Sequence, residues 1–408
     1  MSTLSGLRVL DLSRVFAGPW AAQMLADFGA DVVKVERPGR GDDVRQQGVR
    51  ARDPSGQESR ETSSFLAMNR GKRSVAIDMA QPAGQALIRE LVQHSDVLIE
   101  NFKTGDLKRY GLDFASLHAL NPRLVYCSIT GFGQDGPYSH LPGYDPIFQS
   151  MSGLMSVTGL PDDVPGGGPM RVGYSVADIT AGFYATSAIL AALRHRDMVT
   201  GLGQHIDLAL LDAQVAAQSH VGMMYLVSGR QPPRVGTASP ITCPWQAFDC
   251  SDGQIVVAVG NDTQFKAFCS VLGLPDLPAD PRFATNPQRA SNQAVLVPLL
   301  AAVLATNTVG HWYANFDAHN VPSGPINDFA AVFNDPQIRH RQMQRSLPHP
   351  TLGQVPIVAN PVNFSAAPVR YERAPPQVGE HTAEVLRELL GLDDEQLAAL
   401  ARQGITRA

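Results

Sequence analysis

The sequence predicts an α/β protein in which a discontinuous large domain holds a Rossmann-like parallel sheet and a smaller α/β domain is inserted. Three observations lead to this prediction. Short apolar segments that read as strands alternate with helix-length segments in the first half of the chain. A Pro- and Gly-rich stretch, 228–245, separates this half from a second group of strands and helices. After a further change of composition at Val321–Asp328, strands and a final helix, Thr382–Leu390, are available to complete the first domain.

Apolar pattern and segment length predict the elements of the first half. They are the strands Leu7–Leu12, Asp31–Glu36, Ser74–Asp78, Asp96–Glu100 and Leu124–Ile129, with the helices Ala21–Phe28 and Gly84–His94 among them. Strands separated by helices of this length form parallel βαβ units with right-handed crossovers. Ligands of such sheets bind beyond the carboxyl ends of the strands. We therefore expect Ser13–Pro19, Arg37–Gly41 and Asn101–Phe102 to line one crevice.

The remaining elements suggest where the domains begin and end. Residues 151–173 read as a long loop that leads to Asp178 and a helix of small residues, Ile179–Arg194. A strand at Gln254–Val259 and helices around Asn292–Ala305 and His311–Asn320 form the predicted second domain. We assign 1–200 to the first part of the large domain, 201–230 to a linker helix region, 231–325 to the small domain and 326–408 to the return segment.

Composition narrows the class of protein. Of the 408 residues, 44% are hydrophobic and 17% charged, a balance that supplies a large core and argues against disorder. The formal net charge of −5, without long runs of one sign, argues against nucleic-acid or anionic-membrane partners. Four cysteines without a CxxC spacing support neither a disulfide framework nor a zinc site. With no signal peptide and no apolar stretch of about 20 residues evident, we expect a cytoplasmic protein without membrane partners.

The absence of several motifs excludes common enzyme classes. The turn after the first strand reads RVFAGPW rather than GxGxxG, which argues against a nicotinamide dehydrogenase. The sequence has no GxxxxGK[ST] loop, no HExxH and no GxSxG. The 11 histidines are scattered, so none of them stands out as catalytic.

Asp178, in VADITAGFYATSAILAAL, has two interpretations. As a helix N-cap, it would accept hydrogen bonds from the free backbone N–H groups of the first turn and gain from the helix dipole. The same position would also keep the carboxylate ionised and accessible beside small residues. An ionised, positioned carboxylate is able to act as a covalent nucleophile. The position alone does not decide between a cap and a nucleophile.

Basic residues gather near the predicted crevice. They are Arg37 after the second strand, Lys72 and Arg73 in NRGKRS, and Lys103, Lys108 and Arg109 after the strand that ends at Glu100. Each by itself fits an ordinary solvated charge. Together at strand carboxyl ends they suit the phosphates of a nucleotide-bearing ligand. Phe102 and Val15 are candidates to flank an adenine ring, although core packing explains them equally well.

Several long segments resemble class III CoA-transferases, the family of formyl-CoA transferase and carnitine CoA-transferase. They include LSGLRVLDLSRVFAGPWAAQMLADFGADVVKVERPGRGDDVR, FLAMNRGKRSVAIDM, DVLIENFKTGDLKRYGLDFASLHALNPRLVYCSITGFGQDGP, GYDPIFQSMSGLMSVTG, VADITAGFYATSAILAALRHR and QVGEHTAEVLRELLG. These segments run from residue 4 to residue 391, so the resemblance covers nearly the whole chain.

The resemblance implies a chemistry and a site. It implies that Asp178 attacks an acyl-CoA thioester and forms first an acyl–aspartyl anhydride and then an aspartyl-CoA thioester, with CoA as substrate and no permanently bound cofactor. The family's interlocked homodimer is implied as well. The positions that match the family's CoA contacts are Phe16, Ala17, Arg37, Ile77, Asn101, Phe102 and Arg109, with Gly143 and Tyr144 beside the thioester end.

Departures from the family pattern bear on the substrate and leave alternatives open. GNDTQF (260–265) replaces the glycine-rich loop of formyl-CoA transferase, while RVGTASPITCPWQAF (234–248) is more similar to the succinyl-CoA–glutarate and hydroxymethylglutarate enzymes, except for Ser239 where they have histidine. Arg234 is either a ligand for a distal carboxylate or an exposed linker residue.

A 2-methylacyl-CoA racemase is the first alternative function, although Tyr144 stands where a racemase would need a histidine base. A CoA-binding protein without turnover is the second alternative.

Overall fold

The computed structural model describes residues 2–407 and divides into two compact units. The first comprises the described residues of Met1–Ser152, Val172–Gly222 and Gln337–Ala408, and the second comprises Gly153–Arg171 and Met223–Pro336. These boundaries differ from the predicted ones in three places, one of which is that residues 326–336, assigned to the return segment, belong to the second unit. The loop at 153–171 packs with the second unit, and most of 201–230, assigned to a linker, belongs to the first unit because it contains a strand of the main sheet.

A six-stranded parallel sheet forms the centre of the first unit. In chain order its strands are β1 (Arg8–Asp11), β2 (Asp31–Glu36), β5 (Lys72–Ala76), β6 (Val97–Glu100), β7 (Val125–Thr130) and β8 (His205–Ala209), with a separate hairpin of β3 (Arg50–Arg52) and β4 (Glu58–Thr62). Their order across the sheet is β5-β2-β1-β6-β7-β8, and every pairing is parallel. The residues of β5, β6 and β7 are all buried, as expected for a sheet covered on both faces.

Helices cover both faces of this sheet. In chain order the helices of the first unit up to residue 217 are α1 (Ala17–Asp27), α2 (Ser63–Met68), α3 (Pro82–Gln93), α4 (Phe114–Leu120), α5 (Asp145–Met151), α7 (Val176–His195) and α8 (Leu210–Ala217). The short α6 (Leu154–Val157) belongs to the second unit, and α9 (Ser219–Ser228) begins in the first unit and continues into the second. One core joins α1, α7 and α8 to the sheet and another joins α3 and the C-terminal helix to it. The predicted α/β class with a parallel sheet is confirmed.

Small residues let α1 and α7 pack closely. On α7, Ala177, Ala181 and Ala185 are fully buried. A Cβ atom on Gly182 would lie 2.7 Å from the Trp20 ring and 3.0 Å from the Ala17 carbonyl oxygen. Because glycine leaves this space free, the first turns of the two helices are brought together, and this contact positions the candidate site.

The helix α7 is longer and more apolar than predicted. By length and composition alone, Val176–Thr200 is able to cross a bilayer, and the bent pair Gln293–Leu304 and Val309–Ala318 passes the same test as one span. The expectation that no segment has this length was therefore wrong. A core helix of a soluble protein meets the same criterion, since the small apolar residues that pack α7 against α1 also raise its hydropathy.

The second unit contains a small antiparallel sheet, with β10 between β9 and β11. Its elements are β9 (Trp245–Asp249), β10 (Gln254–Ala258), α10 (Asp262–Val271), α11 (Asn286–Ser291), α12 (Gln293–Leu304), α13 (Val309–Ala318), β11 (Ser323–Pro325) and α14 (Phe329–Asn334). Phe265, Phe268 and Phe316 lie in its core. Arg289 is also buried there, donates to the Cys243 carbonyl oxygen at 2.8 Å and pairs with Asp262 at 2.9 Å.

The last part of the chain returns to the first unit. After α15 (Pro336–His340) come the hairpin β12 (Gln344–His349) and β13 (Gly353–Val358), then α16 (Thr382–Leu390) and α17 (Asp394–Arg402). The helix α16 lies against β5, and its Thr382 accepts a hydrogen bond from the Ala76 N–H at 3.1 Å. The C-terminal helices therefore complete one face of the large sheet.

Candidate active site

Asp178 lies in the first turn of α7 rather than before it. The helix begins at Val176 with Ser175 as its N-cap, so the interpretation of Asp178 as the N-cap was wrong by three positions. Its half-buried carboxylate accepts a hydrogen bond from the Ala17 backbone N–H. Ala17 is the first residue of α1, where backbone N–H groups have no acceptor within the helix. The carboxylate of Asp178 thus sits where the N-terminal ends of two helices meet.

A second carboxylate, Asp145, lies beside Asp178 and was missed from the sequence. Asp145 is the first residue of α5 and is buried. Its Oδ1 accepts the Ala177 N–H at 2.8 Å and its Oδ2 accepts the Gln149 Nε2 at 2.7 Å. Asp145 therefore caps the start of α7, the task first considered for Asp178. The only sequence signal was its place beside Tyr144 in the GYD segment.

The pKa of Asp178 is raised from 3.8 to about 7. Burial is the largest cause, and the negative charge of Asp145 adds to it, while the Ala17 N–H acts in the opposite direction. The expectation that the helix end keeps this carboxylate fully ionised was therefore wrong, because removal from water outweighs the helix terminus. At neutral pH the group is divided between its acid and carboxylate forms.

The pKa of Asp178 predicts the pH dependence of the reaction. Because only the ionised carboxylate is a nucleophile, kcat/KM is expected to rise with pH with a midpoint near 7 and to level off above it. Initial rates of CoA exchange in overlapping buffers at constant ionic strength measure this limb. A flat profile between pH 5 and 8 would contradict the role of Asp178 or its raised pKa.

The strands β1 and β6 meet at the topological switch point of the sheet. The chain runs from β1 outward to β2 and β5 on one side, and continues from β6 to β7 and β8 on the other. Ligands of open α/β sheets bind at such a point, beyond the carboxyl ends of the strands. The loops after β1 and β6 are joined here: Asn101 accepts the Arg14 N–H at 2.8 Å and donates to the Arg14 carbonyl oxygen at 2.6 Å.

Half of the predicted CoA contacts follow the two strands at this point. Val15, Phe16 and Ala17 form the turn after β1, while Asn101 and Phe102 follow β6. All are partly exposed except Ala17, which is buried. Phe102 is stacked under the Arg14 guanidinium group, whose centre lies 4.7 Å from the ring, and its N–H is accepted by Glu100 at 2.8 Å. Arg14 is a further candidate for the ligand surface that sequence reasoning did not select.

The other predicted contacts have different surroundings. Ile77 follows β5 but is only 1% exposed and packs in the core, so its side chain is not free to bind a ligand. The exposed Arg109 lies 3.9 Å from Asp106. Gly143 precedes α5, where a Cβ atom would overlap the Phe148 ring, and Tyr144 is 73% exposed.

Lys72 and Arg73 do not belong to the basic cluster with which they were grouped. Both lie at the amino end of β5 and are buried. Arg73 pairs with Asp31 at 2.6 Å and with Glu388 at 2.6 Å. Lys72 pairs with Asp11 at 2.9 Å, and burial lowers the pKa of its ammonium group to about 8. The expectation was wrong because these two residues precede the predicted strand Ser74–Asp78 and begin β5, so they do not follow a strand as the other members of the cluster do.

Arg37 remains the clearest candidate for a phosphate contact. It follows β2, it is exposed, and its side chain makes no ion pair with any residue of 2–407.

We expect Arg37→Ala to raise KM for acyl-CoA by roughly tenfold with little change in kcat, because one charge-assisted contact with the substrate is lost. Arg52→Ala is the matched control, since Arg52 is an exposed residue of β3, outside the predicted crevice, and is paired with Glu58 at 3.5 Å. An equal effect of both changes would contradict a specific contact by Arg37.

Arg234, a candidate for binding a distal carboxylate, already has a carboxylate partner. In the second unit its guanidinium group pairs with Asp162 and donates to the Ser156 and Leu160 carbonyl oxygens at 3.2 Å. Asp162 itself is 80% exposed at its side chain. A substrate carboxylate would therefore have to displace Asp162. Among residues 2–407 no cluster of three or more His, Cys, Asp or Glu side chains is arranged to hold a metal ion.

The fold and the site together define an α/β protein with a ligand crevice at its switch point and a carboxylate at the meeting of two helix ends. Comparison with known proteins identifies the family. The family model described as CoA-transferase family III matches residues 4–382, and the chain belongs to this family. It is therefore an enzyme, a CoA-transferase.

Individual relatives agree with this assignment. The chain is 47% identical over 386 residues to succinate–glutarate CoA-transferase of Agrobacterium fabrum, covering 95% of each protein. It is 39% identical over 405 residues to succinyl-CoA:glutarate CoA-transferase of Mus musculus, covering 99% of this chain and 90% of that protein. Among solved structures, a CAIB/BAIF family protein from Brucella suis superimposes with a TM-score of 0.84 at 43% identity, covering 95% of this chain and all of that one.

Proposed function

We propose that this enzyme transfers CoA from succinyl-CoA to a short dicarboxylic acid such as glutarate, with Asp178 carrying the acyl group. The observation that carries the proposal is the carboxylate of Asp178, held by the Ala17 N–H beside a ligand crevice at the sheet's switch point. The names of the Agrobacterium fabrum and Mus musculus relatives support the choice of acids.

The first half of the reaction transfers CoA to the enzyme. The Asp178 carboxylate attacks the thioester carbonyl of succinyl-CoA, the C–S bond breaks, and a succinyl–aspartyl anhydride and CoA thiolate are formed. The thiolate then attacks the aspartyl carbonyl carbon. The anhydride C–O bond breaks, succinate leaves with the electron pair, and Asp178 holds CoA as a thioester.

The second half runs the same steps with the acceptor. A carboxylate of the acceptor attacks the aspartyl thioester, which releases CoA thiolate and forms a new anhydride. The thiolate attacks the acceptor's carbonyl carbon, and the Asp178 carboxylate leaves. No proton is consumed in the complete cycle, so the Ala17 N–H serves by orienting the carboxylate and by stabilising its charge when it leaves.

A mass-spectrometric screen of CoA exchange tests the proposal. The purified enzyme is incubated with succinyl-CoA and a panel of mono- and dicarboxylic acids, and new acyl-CoA masses are recorded. We expect exchange with glutarate and related dicarboxylates that is faster than with monocarboxylates of equal length. Exchange with none of the acids, together with saturable CoA binding, would instead favour a binding protein, and deuterium uptake at the α-carbon of a 2-methylacyl-CoA would favour a racemase.

We further propose that the enzyme is an interlocked homodimer and is cytoplasmic. Exposed apolar side chains support a partner surface: the helix α9 has no buried residue, and its Met223, Leu226 and Val227 are largely exposed. Apolar surface of this kind marks interfaces. Light scattering at working concentration tests the dimer, and a monomeric species there would contradict it. Fractionation of cells tests the location.

A further inference from the structure

The turn between β1 and α1 is held by buried side chains from other elements. Lys34 donates from its ammonium group to the Ser13 carbonyl oxygen at 2.8 Å, and Asp42 accepts the Val15 N–H at 3.0 Å. The Asn101 side chain accepts a hydrogen bond from the Arg14 N–H and donates one to the Arg14 carbonyl oxygen. The backbone of this turn is therefore held by side chains of the loops after β2 and β6 and of β2 itself, in addition to the local hydrogen bond from the Ser13 N–H to the Asp11 carboxylate at 3.0 Å.

Val15 has a backbone conformation that a β-branched residue rarely adopts. Its φ angle is 70°, in the left-handed region. Such a conformation is costly for valine and persists only where the surroundings impose it. Of the contacts above, the hydrogen bond from the Val15 N–H to Asp42 is the one made by Val15 itself. Two residues later the same segment presents the Ala17 N–H to the Asp178 carboxylate.

Asp42 and Lys34 form a pair with no exposure to solvent. The Lys34 ammonium lies 2.9 Å from one carboxylate oxygen of Asp42, and both side chains are 0% exposed. The other oxygen of Asp42 accepts the Val15 and Val44 N–H groups, each at 3.0 Å. Lys34 also faces the carboxylates of Asp11, at 3.9 Å, and Glu36. A buried charge needs its partner, so neither member of the pair is free to move independently.

We propose that Asp42 and Lys34 are positioning residues. They hold Val15 in its left-handed conformation and thereby aim the Ala17 N–H at the Asp178 carboxylate. This inference rests on the proposed role of Asp178 as the nucleophile. Neither residue touches the reacting atoms. Their effect reaches the nucleophile through the backbone of the turn. If the turn relaxes, the N–H group loses its alignment, and the carboxylate loses the hydrogen bond that favours its ionised form.

Asp42→Asn tests this proposal with the smallest change of shape. Asparagine has one oxygen, so it cannot both accept the Val15 N–H and present an oxygen to the Lys34 ammonium. We expect kcat for CoA exchange to fall on the order of 10²-fold, with KM for succinyl-CoA changed by less than about threefold. The acid limb of kcat/KM should move to higher pH, because Asp178 has lost a hydrogen bond that lowers its pKa.

A second change in the Asp42→Asn variant provides a rescue. Glycine adopts a φ angle of 70° without the steric cost that valine bears. Adding Val15→Gly should therefore restore much of kcat and return the acid limb toward its wild-type position. KM need not recover, since Val15 is also a predicted CoA contact. A double variant no better than Asp42→Asn alone would contradict the role assigned to Val15.

Asp27→Asn is the matched control. Asp27 lies at the other end of α1 and is held in a buried pair with Arg70, whose Nε donates to it at 2.8 Å. The same chemical change there should lower the unfolding temperature but leave kcat and the acid limb unchanged. Should Asp42→Asn not fold, Asp42→Glu preserves both charges and lengthens the side chain within the same buried site, and the same shift of the acid limb is expected.

The outcomes separate this proposal from the proposed function. If the wild-type enzyme exchanges CoA and Asp178→Ala does not, but a folded Asp42 variant keeps its kcat and acid limb, the positioning role is overturned and the function stands. A fall in kcat with an unmoved acid limb also overturns it, because that result indicates a general loss of structure. If the wild-type enzyme exchanges no CoA, the proposed function itself fails.

Discussion

Replacing Asp178 with alanine is expected to lower the rate of CoA exchange by roughly 10⁴-fold or more, the loss typical of removing a covalent nucleophile. The variant should fold and bind CoA, because Asp178 is only half-buried and its carboxyl group takes part in no ion pair within residues 2–407. Exchange from succinyl-CoA, CoA binding by calorimetry and circular dichroism measure the three properties separately.

Asp212→Ala is the matched control for this change. Asp212 is the third residue of α8, as Asp178 is the third residue of α7, but its side chain is exposed. The control should retain full exchange. Hydroxylamine added to wild-type enzyme and acyl-CoA should convert Asp178 to a hydroxamate, detected by peptide mass spectrometry. Undiminished exchange in Asp178→Ala, or a hydroxamate on another residue, would refute the mechanism.

The second large effect concerns stability and its dependence on pH. The folded protein holds Asp178 with a pKa of about 7, against an ordinary value of 3.8, so the folded state binds the proton more tightly than the unfolded state. Protonated Asp178 therefore stabilises the folded state fully below pH 3.8, its pKa in the unfolded chain. This stabilisation is lost as the pH rises through about 7, its pKa in the folded protein. In Asp178→Asn this loss disappears, which should make the variant more stable than wild type at pH 8 by up to about 4 kcal/mol.

Thermal unfolding of both proteins from pH 4 to pH 8 measures this effect. The difference in unfolding temperature should be small at pH 4, grow between about pH 4 and 7, and level off above. Asp212→Asn, which changes an exposed carboxylate, should show no such growth. A difference that stays constant with pH would show that Asp178 titrates normally. The expected result would mean that the ionised carboxylate of Asp178, which the reaction needs, lowers the stability of the folded protein.

Local patterns predicted several elements well. The bounds of Asp31–Glu36 and Thr382–Leu390 are those of β2 and α16. In α16 the apolar Val385 and Leu386 mark the buried face, whereas β2 is buried along nearly its whole length, Lys34 and Glu36 included. The strand β8 was missed, and His205–Ala209 was assigned to a linker. Its sequence, HIDLA, is only partly apolar because β8 lies at the edge of the sheet, where pairing with β7 rather than burial determines its conformation.

The candidate site was predicted unevenly. Asp178 was identified from the likeness of VADITAG to the family pattern, and the loops at 13–19 and 101–102 from their places after strands. Asp145 was not found, because 32 residues separate it from Ala177, whose N–H it accepts. Asp42 was not predicted as a site residue, since nothing in GRGDD indicates that this carboxylate reaches the turn after another strand.

The sequence by itself determined the first five strands of the large sheet, the family, and the small residues that let α7 approach α1. These are properties of local pattern, and a chain of amino acids displays them directly. Only the tertiary structure decided the protonation of Asp178, the capping role of Asp145 and the support of the β1–α1 turn by Asp42, Lys34 and Asn101. Each of these depends on burial and on distances between residues far apart in the chain, because electrostatic and hydrogen-bond energies follow positions in space rather than in sequence.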